Sequence, residues 1–236
     1  MWNLQHLSSM ESMGDMGSDQ RANRWVQAGI SRACFICLVV LALSSVCQAE
    51  GLEWKIEQAA VKDKMLKAVS GPSGQLAENP VWTDQGGLGF DGKQWVSLPE
   101  KSAREFNPDR FTMTARVRVD QSHTWGGLIS FSQDNGDYER GWLVGYSGKS
   151  LCFKYSTGGK FNVVTASKSI PLGEWIHVTV THDGKSIALY QDGRQVATAV
   201  ASGKIVLPDI STPFALGAYK DKDEFFGLKG AMAEVS

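Results

Sequence analysis

Between Gly173 and Gly193 the chain reads Gly-Glu-Trp-Ile-His-Val-Thr-Val-Thr-His-Asp-Gly-Lys-Ser-Ile-Ala-Leu-Tyr-Gln-Asp-Gly, and no other stretch constrains the fold as much. Ile176, Val178 and Val180 alternate with His177, Thr179 and Thr181, a period of two that places successive side chains on opposite faces of a strand. Asp183-Gly184 interrupts the pattern, a second run follows from Ile187 to Tyr190, and Asp192-Gly193 turns the chain again. Asp-Gly between alternating β-branched runs favours a tight hairpin, because glycine takes positive φ without a Cβ clash. An antiparallel meander is therefore expected at the heart of the molecule.

The same signals recur from Gly87 onward. Strands are expected over 88–90, 95–98, 111–119, 127–132, 142–146, 151–155, 162–166, 176–181, 187–190, 195–200, 214–218 and 228–235. Many short alternating runs with turn residues between them specify an all-β chain, two antiparallel sheets packed as a sandwich. With 236 residues, 42% of them hydrophobic, the chain can bury one substantial core. The formal net charge of −1, with both signs mixed along the sequence, gives no basic groove, so no nucleic-acid partner is expected.

Ahead of the strands lies a targeting segment. Arg21, Arg24 and Arg32 precede an apolar run from Ala33 to Val46, and Cys47-Gln-Ala49 supplies small residues for cleavage, so residues 1–49 read as an N-terminal extension and a secretory signal peptide. The run is too short to cross a hydrocarbon core of about 30 Å, and membrane contact is expected only through this segment if it stays uncleaved. The mature protein is thus expected to be exported, whether to a periplasm, a cell surface or the medium. Cys34, Cys37 and Cys47 fall within the segment to be removed, which leaves Cys152 alone and no internal disulfide. Residues 50–85 form the expected lead-in, an opening strand or short helix around Ile56, Ala59 and Leu66 followed by a loop at Gly71-Pro-Ser-Gly74.

Four ordered blocks carry a family resemblance. Leu88-Gly-Phe-Asp-Gly-Lys-Gln-Trp-Val-Ser-Leu-Pro99, Phe111-Thr-Met-Thr-Ala-Arg-Val-Arg-Val119, the Gly173–Gly193 stretch, and Phe214-Ala-Leu-Gly-Ala218 with Phe226-Gly-Leu-Lys-Gly-Ala-Met-Ala-Glu-Val235 resemble the laminin-G-like domain of the concanavalin A-like lectin/glucanase superfamily. The resemblance implies a jelly roll over residues 86–236, with Trp175 and Phe111 in its core. Gly230 to Ser236 stops partway through what resembles the family's last strand, so the domain is expected to be cut short there, with that strand exposed at an edge.

Catalytic patterns are missing from this sequence. The Glu-x-Asp-x-x-Glu strand of β-glucan-cleaving relatives, whose carboxylates would serve as nucleophile and acid, does not occur. Asp221, Asp223 and Glu224 are interleaved with Lys220 and Lys222 and read as a solvated charge cluster. Gly145-Tyr-Ser-Gly-Lys149 fails as a nucleophile elbow at its fifth position, and His123, His177 and His182 lack zinc-ligand spacing. Cys152 reads as a small core residue.

Calcium is the cofactor the resemblance implies, since many members carry the ion. Asp91 and Glu234 match positions where family carboxylates recur, although Ala233 stands where the closing motif usually has Asp. Asp134, Asp137 and Glu139, in Gln133-Asp-Asn-Gly-Asp-Tyr-Glu139, form a second oxygen-rich turn of the kind hard cations use.

A recognition surface is the remaining function. Aromatic rings flanked by polar groups give shallow sites grip and specificity on sugars. Trp142, Tyr146 and Arg140 share a register on one strand, Tyr155 lies on the next, and Trp125, Tyr138 and Phe225 sit near turns. The expectation is an exported, non-catalytic binding module for a glycan or another cell-surface ligand. The alternatives are an accessory domain of a larger secreted hydrolase (a phosphoesterase, sulfatase or glycosidase), or a structural and adhesive module with a protein partner.

Overall fold

The computed structural model describes residues 51–105, 109–134, 138–208 and 211–236, so the extension and signal segment expected at 1–49 lie outside the described residues, as does Asp137. Four short strands come first: β1 (Trp54–Lys55), β2 (Val61–Lys62), β3 (Met65–Leu66) and β4 (Gly74–Leu76). Then follow β5 (Leu88–Asp91), β6 (Val96–Leu98), helix α1 (Glu100–Glu105), β7 (Phe111–Val119), β8 (His123–Asp134), β9 (Glu139–Gly148), β10 (Ser150–Ser156) and β11 (Phe161–Ser169). The meander is β12 (Trp175–His182), β13 (Ser186–Gln191) and β14 (Arg194–Val200), and the chain closes with β15 (Phe214–Leu216), β16 (Ala218–Lys220), β17 (Phe225–Gly227) and β18 (Lys229–Val235).

Two antiparallel sheets form the sandwich of a jelly roll. One has the order β1-β18-β7-β12-β13-β14, with β5 also on β18; the other runs β11-β10-β9-β8-β15-β6-β4-β3-β2. The meander forms as its turn chemistry requires. Val180 faces Leu189 across β12–β13, and Asp192 and Gly193 both take positive φ, 52° and 74°, in the type I′ geometry that matches strand twist. At the other turn the Asp183 carboxylate accepts from the backbone N–H groups of Lys185 and Ser186 at 2.8 and 2.6 Å, which brings its pKa down to about 2.

The core lies between the inner faces. Val117, Val119, Ile176, Val178, Val180, Ile187 and Leu189 from one sheet meet Phe131, Trp142, Val144, Phe153, Tyr155 and Phe214 from the other. The aromatic members pack edge to face, with Trp142 and Phe214 centroids 5.8 Å apart at 74°, and stack where Phe153 lies on Tyr155 at 5.6 Å and 16°. Cys152 is buried as expected, and burial pushes its thiol up to about 11.

Three expectations change. The stretch expected as a lead-in is woven into both sheets, since β1 pairs with β18 while β2, β3 and β4 extend the nine-stranded sheet from β6. Strand β18 is no exposed edge: β7 flanks it on one side, β1 and β5 on the other, and Ser236 exchanges backbone bonds with Thr114 at 2.7 and 3.0 Å. Trp175 is only half-buried and belongs to the outer face, stacked beneath Arg116 (4.5 Å to the ring centroid) and Arg118 (5.8 Å). It shares parity with polar His177 and Thr179, so alternation carries it away from the core.

Candidate ligand-binding site

Strands β8, β9 and β10 turn one set of side chains inward and leave Ser130, Leu143 and Lys154 in register on the opposite face. Onto that outer face folds the β16–β17 hairpin. Close approach is possible because Gly127 has no side chain; a Cβ there would stand 1.8 Å from the Tyr219 nitrogen. Ser130 Oγ fastens the contact by donating to the Ala218 carbonyl at 2.9 Å.

The hairpin loop is organised by Asp221, which is 3% exposed. Its Oδ2 accepts from the Tyr219 hydroxyl at 2.6 Å and from the Asp134 N–H at 3.1 Å, while Oδ1 accepts from the N–H groups of Glu224 (2.8 Å) and Asp223 (3.2 Å). Four donors satisfy a buried carboxylate that would otherwise be costly to desolvate. The expectation of a solvated charge cluster is corrected at this residue. Burial, and then the neighbouring Asp221 carboxylate, push the Tyr219 hydroxyl well above its ordinary range.

Beside the hairpin stands Trp125, 40% exposed, with the Lys154 ammonium 3.4 Å from its ring centroid. A cation so placed over an indole is attracted by the ring quadrupole and holds the ring in one orientation. Burial pulls the Lys154 ammonium below its ordinary range, and the charges of Glu139, Asp134 and Glu224 act against that shift. Burial raises the carboxyls of Glu139 and Glu224 in turn, with Asp134 adding to both and Asp221 to the second. On the hairpin side of Trp125 opens a cleft of roughly 310 Å³, lined by Trp125, Phe225, Phe226, His123, Thr124 and Lys229. Phe225 is braced edge-on against Trp95 at 6.4 Å.

The predicted ligand residues thus divide into three groups. Trp125 and Phe225 meet at the cleft. Tyr138, 40% exposed, carries the Arg140 guanidinium 4.6 Å from its ring centroid, at the opposite end of the β8–β9 pair from Trp125. Trp142, Tyr146 and Tyr155, at 1%, 1% and 2% exposure, lie in the core and cannot touch a ligand at the surface. Their strands turn these rings toward the other sheet; Tyr155 spends its hydroxyl on Ser202, whose N–H donates to it at 3.1 Å.

Among the described residues, the predicted calcium carboxylates Asp91, Asp134, Glu139 and Glu234 do not assemble into one site. Asp91 faces Lys229 and Glu234 faces Arg116, five residues apart on β18, which separates the two carboxylates by roughly 16 Å. Asp91 Oδ1 caps its own turn, accepting from the N–H groups of Lys93 and Gln94 at 2.8 and 2.9 Å, and these bonds hold its carboxyl below the ordinary range. Asp134 and Glu139 do face each other, but Glu139 Oε2 accepts the Phe161 N–H. Among the described residues no three His, Cys, Asp or Glu side chains gather as a metal ion would require. The described carboxylates do not fit a calcium site.

A family profile described as the concanavalin A-like lectin/glucanases superfamily matches residues 90–236, more than half of the chain. The chain belongs to that superfamily. Among solved structures the superfamily fold is shared with a mutant Trypanosoma rangeli sialidase displaying trans-sialidase activity: TM-score 0.56, 21% identity, over 78% of this chain and 30% of that one. It is shared also with domain 4 of an extracellular arabinanase from Geobacillus stearothermophilus in complex with arabinotriose: TM-score 0.50, 16% identity, over 70% of this chain and 75% of that one. In sequence, 108 residues, 40% of the chain, are 28% identical to Pappalysin-1 of Mus musculus, and the match spans 7% of that relative's length. No helix among the described residues is long and apolar enough to cross a membrane.

Within this superfamily domain the residues that sequence reasoning passed over are Lys154, Lys229 and Asp221. Lys154 had a signal, since it alternates with the inward Phe153 and Tyr155 and so had to lie on the outer face. For Lys229 there was none, because its place in the cleft depends on a hairpin that folds across strands distant in sequence.

Proposed function

We propose that this domain is an exported, non-catalytic module that binds glycans through the cleft beside Trp125. One observation carries the reading: a half-exposed indole, held in place by Lys154, forms one wall of a cleft whose other aromatic residues are Phe225 and Phe226. A ring fixed before binding loses little conformational entropy when a sugar stacks on it, and Thr124 and Lys229 supply hydrogen-bond donors at the rim. The superfamily neighbours support the reading in kind, since one was solved with arabinotriose bound and others are sialidases.

An accessory role within a larger protein is the second reading. The neighbouring sialidase uses this fold for part of a longer chain, of which the present domain covers 30%. Both readings place the ligand at the same cleft.

The test is a glycan array probed with residues 50–236, wild type and Trp125→Ala, with calcium and with chelator. Saccharide binding that Trp125→Ala removes and Tyr138→Ala leaves intact supports the cleft. Binding that follows Tyr138→Ala instead moves the site to the far end of the β8–β9 pair. A melting temperature that rises with calcium and falls with chelator would give the ion a place the donor set does not suggest.

A further inference from the structure

Trp125 stands between two lysines with different surroundings. On one side Lys154 is half-buried, with its ammonium set over the indole ring. On the other, Lys229 lines the cleft, and its ammonium donates to a neutral acceptor, Gln121 Oε1, at 3.2 Å. Among the described residues no carboxylate pairs with it, and no Asp or Glu lines the cleft. Asp91 stands opposite Lys229 across β5–β18 but spends its Oδ1 on the Lys93 and Gln94 N–H groups, so the cleft joins an aromatic wall to an ammonium with no carboxylate in contact.

Its geometry keeps that charge in place. Lys229 stands on β18, flanked by β5, and its aliphatic stem lies across Gly92, where a Cβ would come within 3.1 Å of Lys229 Cε. Gly227 closes the floor from β17, so near to Gly92 that a Cβ there would meet the Gly92 carbonyl at 2.4 Å. The floor is bare backbone, the wall is aromatic, and the cation emerges at one side.

From this we infer that the cleft selects acidic saccharides, sugars whose ring bears a carboxylate or a sulfate, with the ring stacked on Trp125 and the anionic group on Lys229. The inference rests on the glycan reading above and names the ligand class for the same site. A neutral sugar would leave the Lys229 ammonium on its amide partner. An anionic one gains a charge-assisted hydrogen bond in a partly desolvated setting, which distinguishes the two by about tenfold in affinity.

The experiment is a printed array in which each oligosaccharide backbone appears as its neutral, uronate and 6-O-sulfated forms, probed with wild type, Lys229→Gln and Lys229→Arg. Titration calorimetry of the best binder at low and high salt follows. The expected result is that an acidic member outbinds its neutral counterpart by about tenfold, that Lys229→Gln erases the difference and Lys229→Arg retains it, and that salt weakens only the acidic member. Whether the uronate or the sulfate is preferred identifies the anionic group. An unchanged melting temperature in both variants shows that folding is not what the substitution altered. Neutral forms binding as well as acidic ones, or a preference that survives Lys229→Gln, overturns the acidic class and leaves the glycan reading standing. Wild type binding no saccharide overturns that reading and this inference with it.

Discussion

Trp125 and Trp142 belong to the same pair of strands, β8 and β9, and do opposite things. Trp142 is 1% exposed, edge-on to Phe214 in the middle of the sandwich; Trp125 is 40% exposed, on the outer face, over Lys154. The inner ring is buried in the apolar core, so its removal is felt by the whole fold. The outer ring is held by one cation, so its removal is felt by whatever rests against it. The face a ring occupies, set here by the β-bulge between Gly127 and Ile129 that turns Trp125 away from the side of Phe131, rather than residue type, separates a stabilising aromatic from a recognising one.

The contrast can be broken most sharply by truncation. Trp142→Ala should lower unfolding free energy by about 3–5 kcal/mol in urea titrations, as deleting a buried aromatic does, whereas Trp125→Ala should cost less than about 1 kcal/mol. Comparable losses for both would mean that the outer ring is structural after all. Next in size, Asp221→Asn should destabilise by about 1–3 kcal/mol, because an amide cannot accept from all four donors, and should speed amide exchange across 219–227. Unaltered exchange there would show that the carboxylate does not order the hairpin that walls the cleft. Trp125→Ala should weaken the best array ligand by about tenfold or more with little change in melting temperature.

The smallest effect concerns pH. The folded pKa values of Glu139 and Glu224 are raised above the ordinary 4.5, mainly by burial. A raised folded value means that the native state holds the proton more tightly than the unfolded chain. The corresponding stability is present at pH values below about 4.5 and is lost as pH rises through the folded values. Glu139→Gln should flatten that slope in melting temperatures measured from pH 4 to 7, by an amount reduced by partial exposure. A slope that steepens instead would place the titration elsewhere.

Much of the fold was legible because strand alternation is local. The limits of β7 fall where the pattern places them, at Phe111 and Val119, and both Asp-Gly turns form as drawn. The two-residue strands β1, β2 and β3 are too short to hold a period, so residues 54–66 read as a lead-in. The site was legible only in part. Alternation separates Trp142 and Tyr146 from their neighbours but cannot say which set meets the other sheet, since that depends on a partner strand remote in sequence. Asp221 was misread for a related reason: interleaved lysines mark a solvated loop only when nothing folds over it, and here Tyr219 and the Asp134 backbone enclose the carboxylate.

Strand β18 also bears on how the molecule is made. It pairs Val235 with Trp54 and lies between β7 and the strands β1 and β5, so the seven-stranded sheet joins residues about 180 positions apart through its interior. As the chain emerges during synthesis, β1, β5 and β7 wait with open edges and an uncovered apolar face until residues 229–235 arrive. Such non-local closure places assembly at the slow, millisecond-to-second end of folding and leaves the waiting intermediate prone to pair with its own copies. For this domain, the order in which residues are delivered decides whether the sandwich closes on itself or on a neighbour.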